Sequence, residues 1–170
     1  VCESDSYFAE LVYGSGVNLI GRSNVPEFSM ALCADNLLHG VTSNPWKLGY
    51  STSGSSGGAA SAVAAGIVPI AHASDMGGST RGPAAWCGTV GLQPSRGRVS
   101  MGPGKDEQGF GMSQPNCVTR TMRDTAMMLD CLAKPMPGDP FVIWRPQHLF
   151  SAYLTPTGTQ FRIGWPAAAS

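Results

Sequence analysis

The sequence predicts an α/β fold, because segments with helical periodicity alternate with short apolar segments. An alanine-rich helix is predicted over residues 59–66, and a strand follows over residues 67–71. A longer helix is predicted over residues 121–133, where apolar side chains recur at helical spacing. With 170 residues, 42% of them hydrophobic, and no internal repeat, the chain is long enough for one ordinary domain.

Before the alanine-rich helix, the pattern is mostly that of loops. Ser4 or Asp5 can cap a short N-terminal helix, and residues 17–21 predict a buried strand. Residues 24–40 predict a loop and a helix. Residues 42–58 are rich in Ser, Gly, Asn and Pro, which predicts a loop without a strand.

After residue 88 the sequence again predicts short elements. Residues 89–94 and 97–101 predict two strands. The longer helix begins after Thr121, a suitable N-cap with an aspartate three residues later. Residues 134–141 predict a turn-rich linker, and residues 161–165 predict one more strand.

Composition excludes several function classes. Lys plus Arg and Asp plus Glu are equal at 11 each, so nothing indicates binding to nucleic acid or to an anionic membrane. No apolar run reaches the roughly 20 residues needed to cross a bilayer, and no secretory signal opens the chain. The expected partner is therefore a small, weakly charged molecule.

The cysteines and histidines do not predict a metal site. Three histidines and five cysteines show no metal-ligand spacing and no C-x-x-C pair. An odd number of cysteines without such pairs is typical of free thiols in a reducing compartment, so we expect a cytoplasmic protein. The five cysteines are Cys2, Cys33, Cys87, Cys117 and Cys131.

The segment 74–88 places Ser79 directly behind Gly77 and Gly78 and just ahead of Arg81. A serine nucleophile needs a base for its proton, and acyl transfer also needs donors for the oxyanion. Because glycine lacks a Cβ atom, these two amides can turn inward and admit a substrate carbonyl. The spacing fits an oxyanion hole, and it also fits an ordinary tight turn.

A second serine cluster lies upstream, where Ser55 and Ser56 stand between glycines at residues 54–58. This loop opens the alanine-rich helix, whose N-terminal amides favour negative charge. A helix followed by a strand returns the chain to the same end of an α/β layer. We therefore expect the two serine loops to meet at one edge of the sheet.

These motifs resemble the amidase signature family over about residues 21–165. The resemblance rests on GSSGGAASAVAAGIVPIA, SDMGGSTRGPAAWCGTVGLQPSRGRVS and CVTRTMRDTAMMLDCL, flanked by GRSNVPEF and FRIGW. NPW followed by GLQPSRGRVSMGP is most similar to the branch of aminohexanoate cyclic-dimer hydrolases. The resemblance implies an α/β/α fold with a central mixed sheet covered by helices, and a single, incomplete domain over residues 1–170.

The resemblance also implies a Ser-cisSer-Lys catalytic triad. Ser79 matches the nucleophile, and Ser55 matches the bridging serine, whose peptide bond to Gly54 is cis in the family. Gly54 and Ser56 flank the bridging serine and support it. No metal or organic cofactor is needed, and the implied substrate is a small-molecule amide cleaved through an acyl-enzyme.

The family resemblance further assigns the residues around the nucleophile. Asp75 and Arg81 match polar residues that brace the loop, although such a pair is also found as an ordinary local salt bridge. Ser53 departs from the family pattern, which has glycine there. The implied oxyanion hole consists of the backbone amides of Met76, Gly77, Gly78 and Ser79.

The catalytic lysine of the family has no counterpart in this sequence. In the family it lies in a segment resembling LLKD, upstream of the position matched by GRSNVPEF, and this chain begins too near that position. A lysine base must be buried to be neutral, whereas Lys47 and Lys105 lie in predicted loops and Lys134 follows a helix end. We therefore expect the N-terminal lysine segment and the C-terminal part to be missing, and these 170 residues alone to be inactive.

Other interpretations remain open at this point. The residues Gly54 to Gly58 also fit G-x-S-x-G, the nucleophile elbow of α/β-hydrolases, with Ser56 as nucleophile and His148 paired with an aspartate. That elbow needs a preceding strand, whereas residues 47–53 look loop-like. The candidate aspartates are Asp75, Asp130 and Asp139. A Walker phosphate loop is excluded, because the sequence contains no G-x-x-x-x-G-K-[ST] motif.

Two alternatives concern the family itself. A decayed or purely structural protein is one, because the lysine is absent. A glutamine-dependent amidotransferase subunit is the other, although its members usually carry Gln where this chain has Gly82. We therefore favour a free-standing amide hydrolase, which as the full-length enzyme is expected to be a homodimer.

Overall fold

The computed structural model describes residues 4–105, 107–141, 143–156, 158, 160 and 162. Within them the chain forms four α-helices, which are α1 (Tyr7–Gly14), α2 (Gly57–Ala64), α3 (Arg81–Cys87) and α4 (Met122–Leu132). Short 3-10 helices lie at Glu27–Ser29 and Phe150–Leu154. The strands are β1 (Asp35–Asn36), β2 (Gly40–Val41), β3 (Ser43–Asn44), β4 (Lys47–Ser51), β5 (Ile70–Asp75), β6 (Val90–Gly91) and β7 (Gln114–Thr119).

The central sheet has the strand order β5-β7-β6, so the last strand in sequence lies in the middle. Ile70 of β5 lies opposite Thr119, and Asp75 lies opposite Gln114. Both pairs of strands are antiparallel. A parallel pair, which the implied mixed sheet would contain, is not found among the described strands of this sheet.

Helices pack on both faces of this sheet, because neighbouring side chains of a strand point to opposite sides. Val118 of β7 packs with side chains of α2 and α3, including Val63 and Ala84. Its neighbour Cys117 packs with side chains of α1 and α4, including Leu132. The predicted α/β fold, with a sheet covered by helices, is confirmed.

The long C-terminal helix also begins as predicted. The Thr121 hydroxyl accepts a hydrogen bond from the Asp124 N–H at 3.1 Å, which satisfies one of the free amides of the first turn. Helix α1 forms as well, but its N-cap is Ser6 rather than Ser4 or Asp5. No helix among the described residues is long and apolar enough to span a membrane.

Several predictions for the N-terminal third are wrong. Residues 17–21 form no strand, and their apolar members Leu19 and Ile20 are exposed. Residues 24–40 contain a 3-10 helix and the hairpin β1–β2 instead of an α-helix. Residues 42–58 contain the hairpin β3–β4. Most of β4 is exposed, so its sequence carries no alternation of apolar and polar residues that would reveal a strand.

The elements around the second serine loop also differ from the prediction. The strand predicted at 67–71 begins only at Ile70 and continues to Asp75. The chain leaves α2 through Gly66, at φ 81°. Within the segment 74–88, where no helix was predicted, α3 follows the loop around Ser79.

The predictions after residue 88 are mixed. Residues 89–94 contain only the two-residue β6, and residues 97–101 form no strand. The central strand β7 was not predicted. The linker at 134–141 contains no helix or strand, as expected. The strand predicted at 161–165 lies, except for residue 162, outside the described residues.

Candidate active site

The two serine loops meet at the carboxyl end of β5. The Ser56 N–H donates a hydrogen bond to the Ser79 carbonyl oxygen at 3.1 Å. The Ser56 hydroxyl lies against Ser74, accepting from its N–H at 3.3 Å and donating to its carbonyl oxygen at 3.4 Å. The expectation that both loops reach one edge of the sheet is therefore confirmed.

Close packing fixes the first loop. A Cβ atom on Gly54 would lie 2.6 Å from the Ala31 carbonyl oxygen, and one on Gly57 would lie 2.7 Å from the Ala34 Cβ. On Gly58 it would overlap the backbone of Asn24, whose carbonyl oxygen accepts from the Gly58 N–H at 3.2 Å. These glycines are needed because the 24–34 segment lies directly against the loop.

The side chain of Asn24 holds that segment in place. Its amide group donates to the carbonyl oxygen of Gly40 and to the Thr42 hydroxyl, both at 3.0 Å. Its carbonyl oxygen accepts from the side chain of Asn36 at 2.6 Å. This network was not predicted, although Asn24 lies within GRSNVPEF, one of the motifs that carry the family resemblance.

Ser55 lies at the centre of the first loop. The peptide bond between Gly54 and Ser55 is cis, as the family resemblance implied. The side chain is 4% exposed and lines a cavity of about 680 Å³, which also reaches Arg22 and His72. Its hydroxyl makes no hydrogen bond with any other described residue, so it is available for a partner in the cavity.

Charge-assisted hydrogen bonds fix the second loop. Asp75, 1% exposed at the end of β5, accepts from the backbone N–H groups of Gly78 at 2.7 Å and of Thr80 and Arg81 at 3.2 Å. The Arg81 guanidinium adds two bonds of 2.9 Å to the two carboxylate oxygens. Burial alone would raise the pKa of Asp75, but the bonds from Arg81, Gly78 and Thr80 outweigh it and lower the pKa.

Asp75 is also held through its backbone. The side-chain amide of Gln93 donates to the Asp75 carbonyl oxygen at 3.0 Å and to the Met112 carbonyl oxygen at 3.1 Å. Neither this contact nor the role of the Thr80 N–H was predicted. Both depend on where the Asp75 carbonyl oxygen and the Thr80 N–H point, and the sequence does not show the direction of individual backbone groups.

The structure changes the predicted set of oxyanion donors. The Gly78 N–H donates to Asp75, so it braces the loop. The N–H groups of Met76, Gly77 and Ser79 have no acceptor among the described residues. Cβ atoms on Gly77 and Gly78, the latter at φ 129°, would meet only open space. A ligand can therefore approach this backbone closely.

The lysines of the described chain are not placed to act as the base. Lys47 donates to the Tyr50 hydroxyl at 3.0 Å, lies 4.2 Å from the centre of its ring and is exposed. Lys105 and Lys134 are also exposed. None of the three hydrogen-bonds to Ser55 or Ser79. In the same described ranges, no three His, Cys, Asp or Glu side chains group closely enough to hold a metal ion.

One observation favours the nucleophile-elbow interpretation, and three oppose it. Strand β4 does precede the first loop, contrary to the expectation that residues 47–53 form no strand. However, Ser56 is buried, with its hydroxyl bonded to the backbone of β5. The ring of His148 lies 6.2 Å from that of Tyr153 and hydrogen-bonds to no aspartate among the described residues. The three candidate aspartates are engaged elsewhere: Asp75 with Arg81, Asp130 with Ser151, and Asp139 with Ser100.

Comparison with known proteins identifies the family of this chain. The family described as Amidase matches residues 1–170. The chain is 41% identical over 141 residues to 6-aminohexanoate-cyclic-dimer hydrolase of Paenarthrobacter ureafaciens, a match that covers 82% of this chain and 29% of that enzyme. It is 42% identical over 154 residues to a glutamyl-tRNA(Gln) amidotransferase subunit of Shouchella clausii, a match that covers 91% of this chain and 32% of that protein.

A solved structure gives the same result. The fold superposes on 6-aminohexanoate cyclic dimer hydrolase complexed with substrate with a TM-score of 0.83 and 38% sequence identity, covering 88% of this chain and 32% of that one. The chain thus spans less than a third of the length of these relatives. Family profile, sequence and fold agree, and the chain belongs to the amidase signature family.

Proposed function

We propose that the protein containing this segment hydrolyses carboxylic amides through an acyl-enzyme formed on Ser79. The observation that carries the proposal is the junction of the two serine loops. There the Ser56 N–H contacts the Ser79 carbonyl oxygen, and the backbone at Gly77 and Gly78 stays open to a ligand. Relatives named as amide hydrolases in the same family support the reaction class.

The reaction proceeds in two halves. The Ser79 hydroxyl attacks the amide carbonyl, and its proton passes through Ser55 to a base while the N–H groups of Met76, Gly77 and Ser79 stabilise the oxyanion. The C–N bond breaks, and the amine or ammonia leaves with that proton. Water then attacks the ester carbonyl, which releases the carboxylic acid and restores the hydroxyl.

We propose that the base is a neutral lysine supplied by a part of the protein outside these residues. The cavity lined by Ser55 has room for such a side chain, and Arg22 also lines it; a nearby positive charge favours the uncharged form of a lysine. The three lysines of the described chain are exposed, and none of them hydrogen-bonds to either serine. These 170 residues by themselves are accordingly expected to be inactive.

The proposed substrate is a small amide, and no cofactor is required. The name of the Paenarthrobacter ureafaciens relative indicates a cyclic amide as one candidate. The amidotransferase reaction is the second candidate, favoured by the similarity to the Shouchella clausii protein. Gly82, where such amidotransferase subunits usually carry Gln, favours the free-standing hydrolase. We further propose a cytoplasmic homodimer that binds neither nucleic acid nor membrane.

The experiment measures hydrolysis of an aryl amide and of a cyclic dimer by the full-length protein. We expect Ser79→Ala to lower kcat by at least about 10³-fold. Ser95→Ala, which changes an exposed serine, is the matched control and should keep full activity. Undiminished hydrolysis by Ser79→Ala would refute the proposal, and loss on Ser56→Ala alone would favour the elbow interpretation.

A further inference from the structure

Ser53 adopts a backbone conformation that serine rarely takes. Its φ is 62°, in the left-handed region that glycine enters without steric cost, and the residue is only 9% exposed. This is the position at which the family pattern has glycine. A strained, buried residue beside the candidate site calls for a reason in its surroundings.

The Ser53 side chain lies against Gly82, across the junction of the two serine loops. A Cβ atom on Gly82 would lie 3.2 Å from the Ser53 hydroxyl oxygen, closer than the ordinary contact distance of 3.4–4 Å. A larger residue at position 82 therefore needs space that Ser53 already fills. Serine at 53, where the family has glycine, and glycine at 82, where amidotransferase subunits usually carry Gln, therefore lie close together in the fold.

Local hydrogen bonds hold the backbone of Ser53, which limits how far the residue can shift as a whole. Its N–H donates to the Ser51 hydroxyl at 3.0 Å, and its carbonyl oxygen accepts from the Thr52 hydroxyl at 3.2 Å. Thr52 itself is fully buried. A larger side chain at position 82 would therefore displace Ser53 and, with it, Ser55 two residues later.

We propose that Ser53 is a positioning residue that sets the separation of the two serine loops, with Gly82 as the small partner that makes room for it. The hydrogen bond from Ser56 to Ser79 fixes the loops at one point. The Ser53 hydroxyl oxygen, which would lie 3.2 Å from a Cβ atom on Gly82, limits their approach at a second point, on the other side of Ser55. The catalytic consequence rests on the proposed function, whereas the contact itself does not.

A double-mutant cycle in the full-length protein tests this coupling. The variants are Gly82→Val, Ser53→Gly and the two together, with Gly82→Ala as a milder change if Gly82→Val does not fold. Gly104→Val is the matched control, because a Cβ atom there would meet open space. Thermal unfolding, kcat and KM for an aryl amide are measured for each.

We expect Gly82→Val alone to lower kcat by about tenfold, with KM unchanged within about twofold, since small displacements of reacting groups mainly affect turnover. The melting temperature should fall by about 3 °C. Ser53→Gly should rescue both, bringing kcat of the double variant within about threefold of the parent. Gly104→Val should change kcat and the melting temperature by the same amount with and without the Ser53→Gly substitution.

Equal losses from Gly82→Val with and without the Ser53→Gly substitution would overturn the proposal. So would rescue of the melting temperature without rescue of kcat, because the contact would then be structural only. If the unsubstituted protein hydrolyses no amide, the proposed function fails. The melting temperatures would still show whether the two positions are coupled, and additive changes would reject the contact.

Discussion

The two serine loops are held by different means, although they meet at one point. The loop around Ser55 is fixed by packing, since Cβ atoms on Gly54 or Gly57 would overlap the 31–34 segment. The loop before Ser79 is fixed by the hydrogen bonds that converge on Asp75, and its glycines face open space.

Because of this difference, the first loop can hold the Ser55 hydroxyl in position while the second loop leaves its backbone open to a substrate. A packed loop cannot admit a ligand from the packed side, and close contacts hold it in addition to its hydrogen bonds to Ser79, Ser74 and Asn24. A loop braced by a carboxylate beneath it keeps its outer face free for a substrate carbonyl. Two substitutions and one pH dependence, in order of decreasing expected effect, test whether the two loops depend on packing and charge in this way.

The largest effect is expected from Asp75→Asn. The amide keeps one accepting oxygen, but it carries no charge and its NH₂ cannot accept from Arg81 or from a backbone N–H. The loop therefore loses part of its brace, and the N–H groups of Met76, Gly77 and Ser79 lose their fixed orientation. We expect kcat for amide hydrolysis to fall by about 10²-fold. Asp35→Asn, at an exposed aspartate, is the matched control. Unchanged kcat in Asp75→Asn would show that charge does not hold this loop.

A smaller effect, on stability, is expected from Gly57→Ala. The added methyl group would press on Ala34 and Thr52 and lower the free energy of unfolding by about 1–3 kcal/mol. Gly77→Ala places the same group in open space and should change it by less than about 0.5 kcal/mol. Chemical denaturation of the full-length protein measures both. Equal losses would contradict the assignment of packing to one loop only.

The smallest effect is a pH dependence confined to the second loop. The pKa of Asp75 lies below its ordinary value of 3.8, so its charged form stabilises the fold above that value. This contribution is lost as pH falls through the lowered pKa. The difference in melting temperature between parent and Asp75→Asn should be constant above about pH 5 and should narrow below about pH 4. If the difference in melting temperature stayed constant down to about pH 2, the charge of Asp75 would not contribute to stability as proposed.

The parts of the fold that could be predicted are those marked by local sequence patterns. Helix α4 follows from apolar periodicity and from the cap at Thr121. The serine loops follow from glycine spacing. Strand β7 escaped prediction because its polar side chains are buried: Asn116 donates to the Leu92 carbonyl oxygen, and Gln114 donates to that of Gly111. Buried polar residues look like loop residues until their partners are known.

The candidate site shows the same limit. Its residues could be named from the motifs, but the direction of each amide could not. The Gly78 N–H was predicted to face the substrate and instead faces Asp75. The contact between Ser53 and Gly82 likewise joins positions far apart in the sequence and becomes visible only in the fold.

Covalent labelling of the full-length protein shows whether Ser79 is the activated serine. The protein is treated with an organophosphorus reagent that modifies activated serines, and the adduct is located by peptide mass spectrometry. We predict one adduct, on Ser79, which persists in Ser56→Ala and disappears in Ser79→Ala. An adduct on Ser56, or undiminished labelling of Ser79→Ala, would contradict the account.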